Sequence, residues 1–448
     1  MTTAPVPRPP TDKAAELLAH WAGWLSAAGV APDRAARAAG RAVAHGSDLA
    51  RELVLGGVDE ALLFRSIADR LGLAFQGRVD PAALVTREGQ ERLLLGDRGA
   101  RGRVRILRED GSTVLALSDY GLDPQEWEQR LRRAPGLRER LVVVPPGALR
   151  AALVARSRAW LLRDAVHRLR LRRPLFSAHD IATTWQAWLA GLIMALLPVA
   201  LITAPWPTLI ALNVFASATF LCCIALRLLA LRTARPLRLP SISRIDPALM
   251  PVYSVLVALH REKAVVPQLL VALGKLQWPR ARLEIKLVCE EDDEETLSVL
   301  AAHQLHPCIE IVRVPPSLPR TKPKALAFAL PLCTGEVVTL YDAEDRPHPQ
   351  QLIEAWQRFQ ASDDSLACLQ APLTVTNFGA GWLARMFAFE YAGLFRGLLP
   401  WLAARGAVVP LGGTSNHFRR SALLAVGGWD PYNVTEDADL GMRFSRHV

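Results

Sequence analysis

"VVTLYDAEDRPH", residues 337–348, is the stretch on which the fold turns. Val337 to Leu340 suit a buried strand, yet Tyr341 runs straight into Asp342, Glu344 and Asp345, with one alanine among the acids. Carboxylates packed together disfavour each other's charge unless something positive joins them. Two readings compete. Asp and Glu stabilise helix N-termini, so an acidic run can simply open a helix. Alternatively, oxygen-only ligands hold Mg2+ or Mn2+, and such an ion completes its shell with substrate phosphates. For residues 342–345 we take the second reading. For Glu290, Glu291, Asp292 and Asp293 both stay open.

Outward from this stretch, strands and helices alternate. "VYSVLVAL", "LEIKLVC", "IEIVRV" and "VVTLY" read as buried strands, and "VVPQLLVALGKLQ", "KPKALAFALPL" and "PQQLIEAWQRFQ" as helices between and after them. Repeated βαβ units give an α/β fold with a mostly parallel sheet and helices on both faces. Ligands of such sheets sit at the carboxyl ends of the strands. The polar clusters fall there: residues 290–293, the segment Arg320-Thr321-Lys322-Pro323-Lys324, residues 342–345, and Thr435-Glu436-Asp437 with Asp439.

The chain has 448 residues, a net charge of +10 and six cysteines. Its length allows two or three domains. Residues 181–226 carry no charge, enough for two membrane helices of roughly 20 residues each. Prolines 205 and 207 break the run, so we expect a hairpin with spans near 184–203 and 208–229, and Trp185, Trp188 and Trp206 in the interfacial belt. Arginines 156, 158, 163, 168, 170, 172 and 173 precede it, and Arg227, Arg232, Arg235 and Arg238 follow. The positive-inside rule then places both large flanking regions in the cytoplasm, against anionic membrane lipids. The other reading of the run is a buried hairpin of a soluble protein. Because the basic residues bracket an anchor, no nucleic-acid partner is expected. The N-terminus has no apolar core after its charges and does not read as a signal peptide. No cysteine pair has CxxC spacing, so buried reduced thiols are expected.

Residues 1–150 read as a small α/β accessory domain: helical over 12–75, then a hairpin around Glu109-Asp110-Gly111-Ser112. Residues 151–180 read as a basic juxtamembrane linker, 181–231 as the hairpin and 245–448 as the domain of the opening stretch. "LVLGGVDEALLFRSIADRLGLAF", "VDPAALV" and "STVLALSD" resemble the N-terminal domain of type II secretion ATPases. That resemblance implies either cyclic di-GMP sensing or a packing domain without a ligand.

"YDAED", "LGGTSNHFRR", "VGGWD" and "VTEDADLGMR", in this order, resemble family 2 glycosyltransferases of the cellulose synthase type, over residues 250–448. The resemblance implies a GT-A fold on the cytoplasmic face of a bacterial inner membrane. It implies inverting transfer from a nucleotide-sugar, UDP-linked by the family's habit, to a saccharide or lipid acceptor in exopolysaccharide synthesis. It further implies Asp342 and Glu344 at the metal and diphosphate, Glu262 and Glu291 at the base, and Lys322 or Lys324 at the phosphates. Gly413, Ser415, Asn416 and Glu436 fall on the acceptor side, and Asp437 becomes the general base. A helix start at Thr435 is compatible with that role. Asp439, His260 and His417 read as structural. Residues 381–402 read as an amphipathic helix at the membrane surface or as core. The family's QxxRW element and later membrane helices are not among these residues, so a non-catalytic nucleotide-binding scaffold is the alternative reading.

Overall fold

A computed structural model of the chain describes residues 12–87, 89–97, 104–233 and 245–447. The N-terminal stretch 1–11, and the arginines Arg235, Arg238 and Arg244, lie outside the described residues.

The N-terminal part starts with α1 (Asp12–Ala27), α2 (Pro32–His45), α3 (Leu49–Leu55) and α4 (Glu60–Leu71). The helix α2 ends at Gly46 in a left-handed conformation, and Asp59 caps α4 by accepting from the Leu62 N–H. Then come β1 (Ala74–Phe75), β2 (Leu84–Val85), α5 (Glu91–Gly96), β3 (Arg105–Leu107), β4 (Thr113–Leu117), α6 (Pro124–Arg133) and β5 (Leu141–Val143). The strands form one sheet in the order β1-β5-β4-β3-β2. The expected hairpin is β3–β4, closed where the Arg108 N–H donates to the Ser112 carbonyl across Gly111.

Helix α7 (Pro146–Arg172) follows. It contains most of the segment expected to be a linker. Leu149, Leu153, Leu161, Ala165 and Leu169 form a buried stripe along it. The first four belong to a core cluster with Ile106 and Val114 of the N-terminal sheet and Leu326, Phe328 and Leu330 of the C-terminal part. The arginine-rich composition hid that stripe. Several of its arginines serve the fold: Arg168 is buried and donates to the Gly427 carbonyl.

Helices α8 (Thr184–Thr203) and α9 (Pro205–Thr233) form the hairpin. The first span matches expectation. The second begins three residues earlier, because prolines 205 and 207 sit in a first turn that needs no N–H donors. Mean hydropathy reaches 1.9 and 2.3, and neither apolar window is buried by the rest of the chain. That is at odds with a buried soluble hairpin. Cys222 and Cys223 lie exposed on α9, unlike the buried Cys289, Cys308 and Cys333.

The C-terminal part runs β6 (Tyr253–Leu259), α10 (Val266–Gly274), β7 (Leu283–Glu290), α11 (Glu294–Ala302), β8 (Ile309–Val314), α12 (Lys322–Ala329), β9 (Val337–Tyr341), α13 (Gln351–Gln360), β10 (Cys368–Gln370), α14 (Trp382–Gly393), a π-helical turn (Leu394–Leu398), α15 (Leu399–Ala403), β11 (Asn416–Arg419), α16 (Arg420–Ala425) and α17 (Glu436–His447). Its six-stranded sheet has the order β10-β11-β9-β6-β7-β8. Strands β9, β6, β7 and β8 are parallel neighbours, and β11 is antiparallel to β9 and β10. Every residue of β7 and β9 is buried. That is what a parallel sheet covered on both faces demands, and it explains their unbroken apolar runs. The carboxyl ends of β6, β7 and β9 therefore share one edge.

Candidate active site

At that edge the strand of the opening stretch ends in a tight turn. Tyr341 is fully buried, Ala343 nearly so, and the acids on either side are pushed outward. The Asp342 N–H donates to Asp345 Oδ2 at 2.9 Å and to Thr414 Oγ1 at 3.1 Å. The Thr414 hydroxyl in turn donates to Asp345. Asp345 thus ties the turn after β9 to the loop before β11. Asp345 was expected only as part of the metal-binding acidic run 342–345, and Thr414 was not among the expected site residues.

Lys322, the first residue of α12, reaches into this turn. Its Nζ lies 2.6 Å from Asp342 Oδ1 and 3.3 Å from Glu436 Oε1, and donates to the Gly413 carbonyl at 3.0 Å. Thr321 sets the direction by capping α12, its hydroxyl oxygen accepting from the Lys324 N–H. Glu436 opens α17, and Asp437 follows it with Oδ2 beside Gly413, 3.5 Å from where a Cβ there would stand. Burial pushes the Asp342 carboxyl up; Lys322 offsets part of this, while Glu344 and Asp437 add to it. Burial likewise raises Glu436, with Lys322 opposing and Asp437 reinforcing. Burial works against the Lys322 charge, but Asp342 and Glu436 outweigh it and raise that ammonium above its usual value. Asp342, Glu344, Glu436 and Asp437 therefore share one electrostatic neighbourhood around one lysine.

Other expected site residues fall elsewhere. Lys324 is fully buried, 2.7 Å from Glu290 Oε1, and cannot meet a diphosphate. Glu291 pairs with Arg158 of α7 and faces that helix, away from the Asp342 turn. Glu262 follows β6 and its N–H donates to Thr296 Oγ1 at 3.1 Å, with no contact to the lysine. Asn416 is turned inward by the pairing of β11 with β9, and Ser415, just before that strand, donates its N–H to the Leu340 carbonyl; they are 2% and 5% exposed, so neither offers its side chain to an acceptor. Ser415 holds a left-handed backbone with φ of 56°, a local strain kept by the surrounding ladder. His417 is buried against Tyr253, and burial pushes its imidazole down to about 3, which excludes a proton-carrying role at neutral pH. Asp439 is engaged by Arg443 at 2.6 Å.

Among the described residues no three His, Cys, Asp or Glu side chains are placed to cage a metal ion. That does not disqualify the site for magnesium or manganese, which use one or two carboxylates and take further ligands from phosphate and water. Asp342 is 29% exposed in its side chain and Glu344 is exposed, so both can turn a hard oxygen outward. These residues fit an ion held jointly by protein and phosphates, and not a protein-only cage.

The carboxyl edge of this sheet, with its acids and single lysine, defines a ligand-binding α/β domain of the open-sheet type. Residues 251–448 match the family model described as "Glycosyltransferase like family 2", so this part of the chain resembles the enzymes of that family. Similar curated proteins include a "Probable glycosyltransferase YdaM" of Bacillus subtilis (strain 168), 26% identical over 43% of this chain and 46% of that protein. A "Beta-monoglucosyldiacylglycerol synthase" of Synechocystis sp. is 28% identical over 50% of this chain and 47% of that protein. The chain thus spans about half the length of the curated relatives it matches. Among solved structures, a mannosyltransferase from Pyrobaculum calidifontis in complex with GDP-Man and Mn2+ is 22% identical, with a TM-score of 0.37, over 51% of this chain and 61% of that one.

Proposed function

We propose that the chain is a membrane-anchored, inverting glycosyltransferase. It transfers a sugar from a nucleotide-sugar, UDP-linked in our reading, to a saccharide or lipid acceptor. The observation that carries this is the convergence of Asp342, after β9, and Glu436, of α17, on Lys322 of α12, with Asp437 close enough to raise Asp342. The relatives it resembles, a probable glycosyltransferase and a glycolipid synthase among them, support it.

In the proposed reaction Asp437 accepts the proton of an acceptor hydroxyl as that oxygen attacks the anomeric carbon. The bond from that carbon to the donor phosphate breaks, and the nucleoside diphosphate leaves with the electron pair. Lys322, at the neck between Asp342 and Gly413, supplies a fixed positive charge to the leaving diphosphate. Asp342 and Glu344 would hold a divalent ion, which when bound supplies further charge neutralisation at the phosphates. Asp345 and Thr414 keep the Asp342 turn against the 412–416 loop, so donor and acceptor sides stay in register.

The hairpin α8–α9 anchors this domain, with both flanking regions on the cytoplasmic side by their arginines. Exopolysaccharide assembly is the setting we favour.

The test uses the full chain in native-like membranes, with UDP-sugars and Mn2+ or Mg2+. Donor turnover that requires the metal is expected. Asp342→Ala should remove metal-dependent UDP binding, and Asp437→Asn should keep binding while stopping transfer. Absence of both turnover and UDP binding across nucleotide-sugars and acceptors would overturn the proposal.

A further inference from the structure

The cytoplasmic end of α9 carries a second feature. Helix α14 lies against it through the Arg227–Glu390 pair at 2.8 Å, and the π-helical turn that follows α14 seats Gly397 on Leu231. Between the two helices is a cavity of about 230 Å3, lined by Arg227, Leu231, Met386, Phe389, Gly393 and Leu394 among others. Residues 386, 389 and 393 follow one stripe of α14, the stripe turned to α9. Yet Phe389 is 75% exposed, Met386 57% and Leu231 55%, so the chain itself does not fill the groove.

Two observations say what does. The apolar floor continues without a break into α9, whose exposed Leu228 and Leu231 belong to the candidate span. The two segments that form the groove are basic in sum: residues 205–233 and 382–398 contain Arg227, Arg232, Arg385 and Arg396 against Glu390 as the sole acid, and at the groove itself Arg227 stands paired with Glu390. An occupant needs an apolar tail and an anionic head, and it must be present at the end of a membrane span. We propose that this groove seats one acyl chain of an anionic membrane phospholipid, with its phosphate at Arg227. The proposal rests on the membrane reading of α8 and α9. It does not depend on the transfer chemistry.

The test places the full chain in vesicles of phosphatidylcholine and phosphatidylglycerol, with a trace of either lipid nitroxide-labelled on an acyl chain. A motionally restricted spin-label component is expected, larger for phosphatidylglycerol than for phosphatidylcholine. Gly393→Trp should abolish the excess, because a Cβ at Gly393 meets no heavy atom within 4 Å and the new ring can enter the groove. Leu231→Trp fills the groove from the opposite wall and should act alike if Gly393→Trp fails to fold. Arg227→Gln should equalise the two lipids. Equal restriction of both lipids in the native chain, or an excess that survives both tryptophan variants, overturns the proposal. So does a native dimer that both tryptophan variants convert to monomer with no lipid preference, since the groove then belongs to a second copy. Failure of the chain to float with vesicles removes the membrane reading as well, while loss of the lipid preference in a chain that floats removes the groove alone.

Discussion

Two strands of the same sheet, β7 and β9, each end in a run of acids, and the structure uses the two runs in opposite ways. After β7 each acid is met by the scaffold. Glu290 is buried with Lys324, Glu291 pairs with Arg158, Asp292 with Arg320 at 2.7 Å, and Asp293 caps α11 while accepting from the Arg261 N–H. After β9 the acids outnumber their cation. Lys322 faces Asp342 and Glu436, with Glu344 and Asp437 close enough to push Asp342 up. An acidic cluster satisfied by its own fold is architecture, whereas one left short of positive charge is poised for a ligand that brings it.

The largest effect is expected at Asp437. Asp437→Asn should lower transfer by about 10²–10⁴-fold, the range of general-base contributions, with UDP affinity unchanged. Steady-state turnover beside a UDP titration checks it. The two lysines of α12 should separate next. Lys324→Ala strands a buried Glu290 and should cost about 3–5 kcal/mol in denaturant unfolding. Lys322→Ala should cost less stability than that, yet lose donor binding by calorimetry.

Acid sharpens the contrast further. Burial alone would raise Glu310, but Lys286 and Arg150 hold it down to about 2 from 4.5. Its contribution is full above 4.5 and is lost as pH falls toward 2. Glu436 is raised instead, so its ionisation penalises the fold as pH climbs through its folded value, and protonation below 4.5 removes that penalty. Glu310→Gln should therefore flatten the loss of stability below pH 4.5, and Glu436→Gln should gain stability above it, both read by melting temperature across pH. The smallest effect is expected at Glu291→Gln. That half-exposed pair with Arg158 should be worth about 0–1 kcal/mol, with no change in UDP affinity.

Much of the C-terminal sheet was legible because a parallel strand buried on both faces is an apolar run with nothing else to be, as in residues 283–289 and 337–341. That Asp342, Lys322, Glu436 and Asp437 would lie together was legible because polar residues after such strands gather at one edge, whereas Gly413 came from the family resemblance alone. What composition could not resolve was direction. Lys322 and Lys324 sit two positions apart, roughly 200° around a helix, so one enters the carboxylate cluster and the other the core. Ser415 and Asn416 read as loop residues until the β9–β11 ladder, and the Ser415 N–H bond to Leu340 beside it, turned them inward. Helix α7 was missed for a related reason: long arginine stems tolerate a half-buried helix, so its charges masked the leucine stripe beneath.

That helix has a mechanical consequence. It is a strut, one end rooted under the N-terminal sheet, its middle clamped on α12 and its far end leading toward α8. Pulling on the accessory domain would load the base of the very helix whose first residue is Lys322. Excising residues 1–145 would strip the neighbours from one side of that strut, and the remaining portion should lose solubility before it loses chemistry.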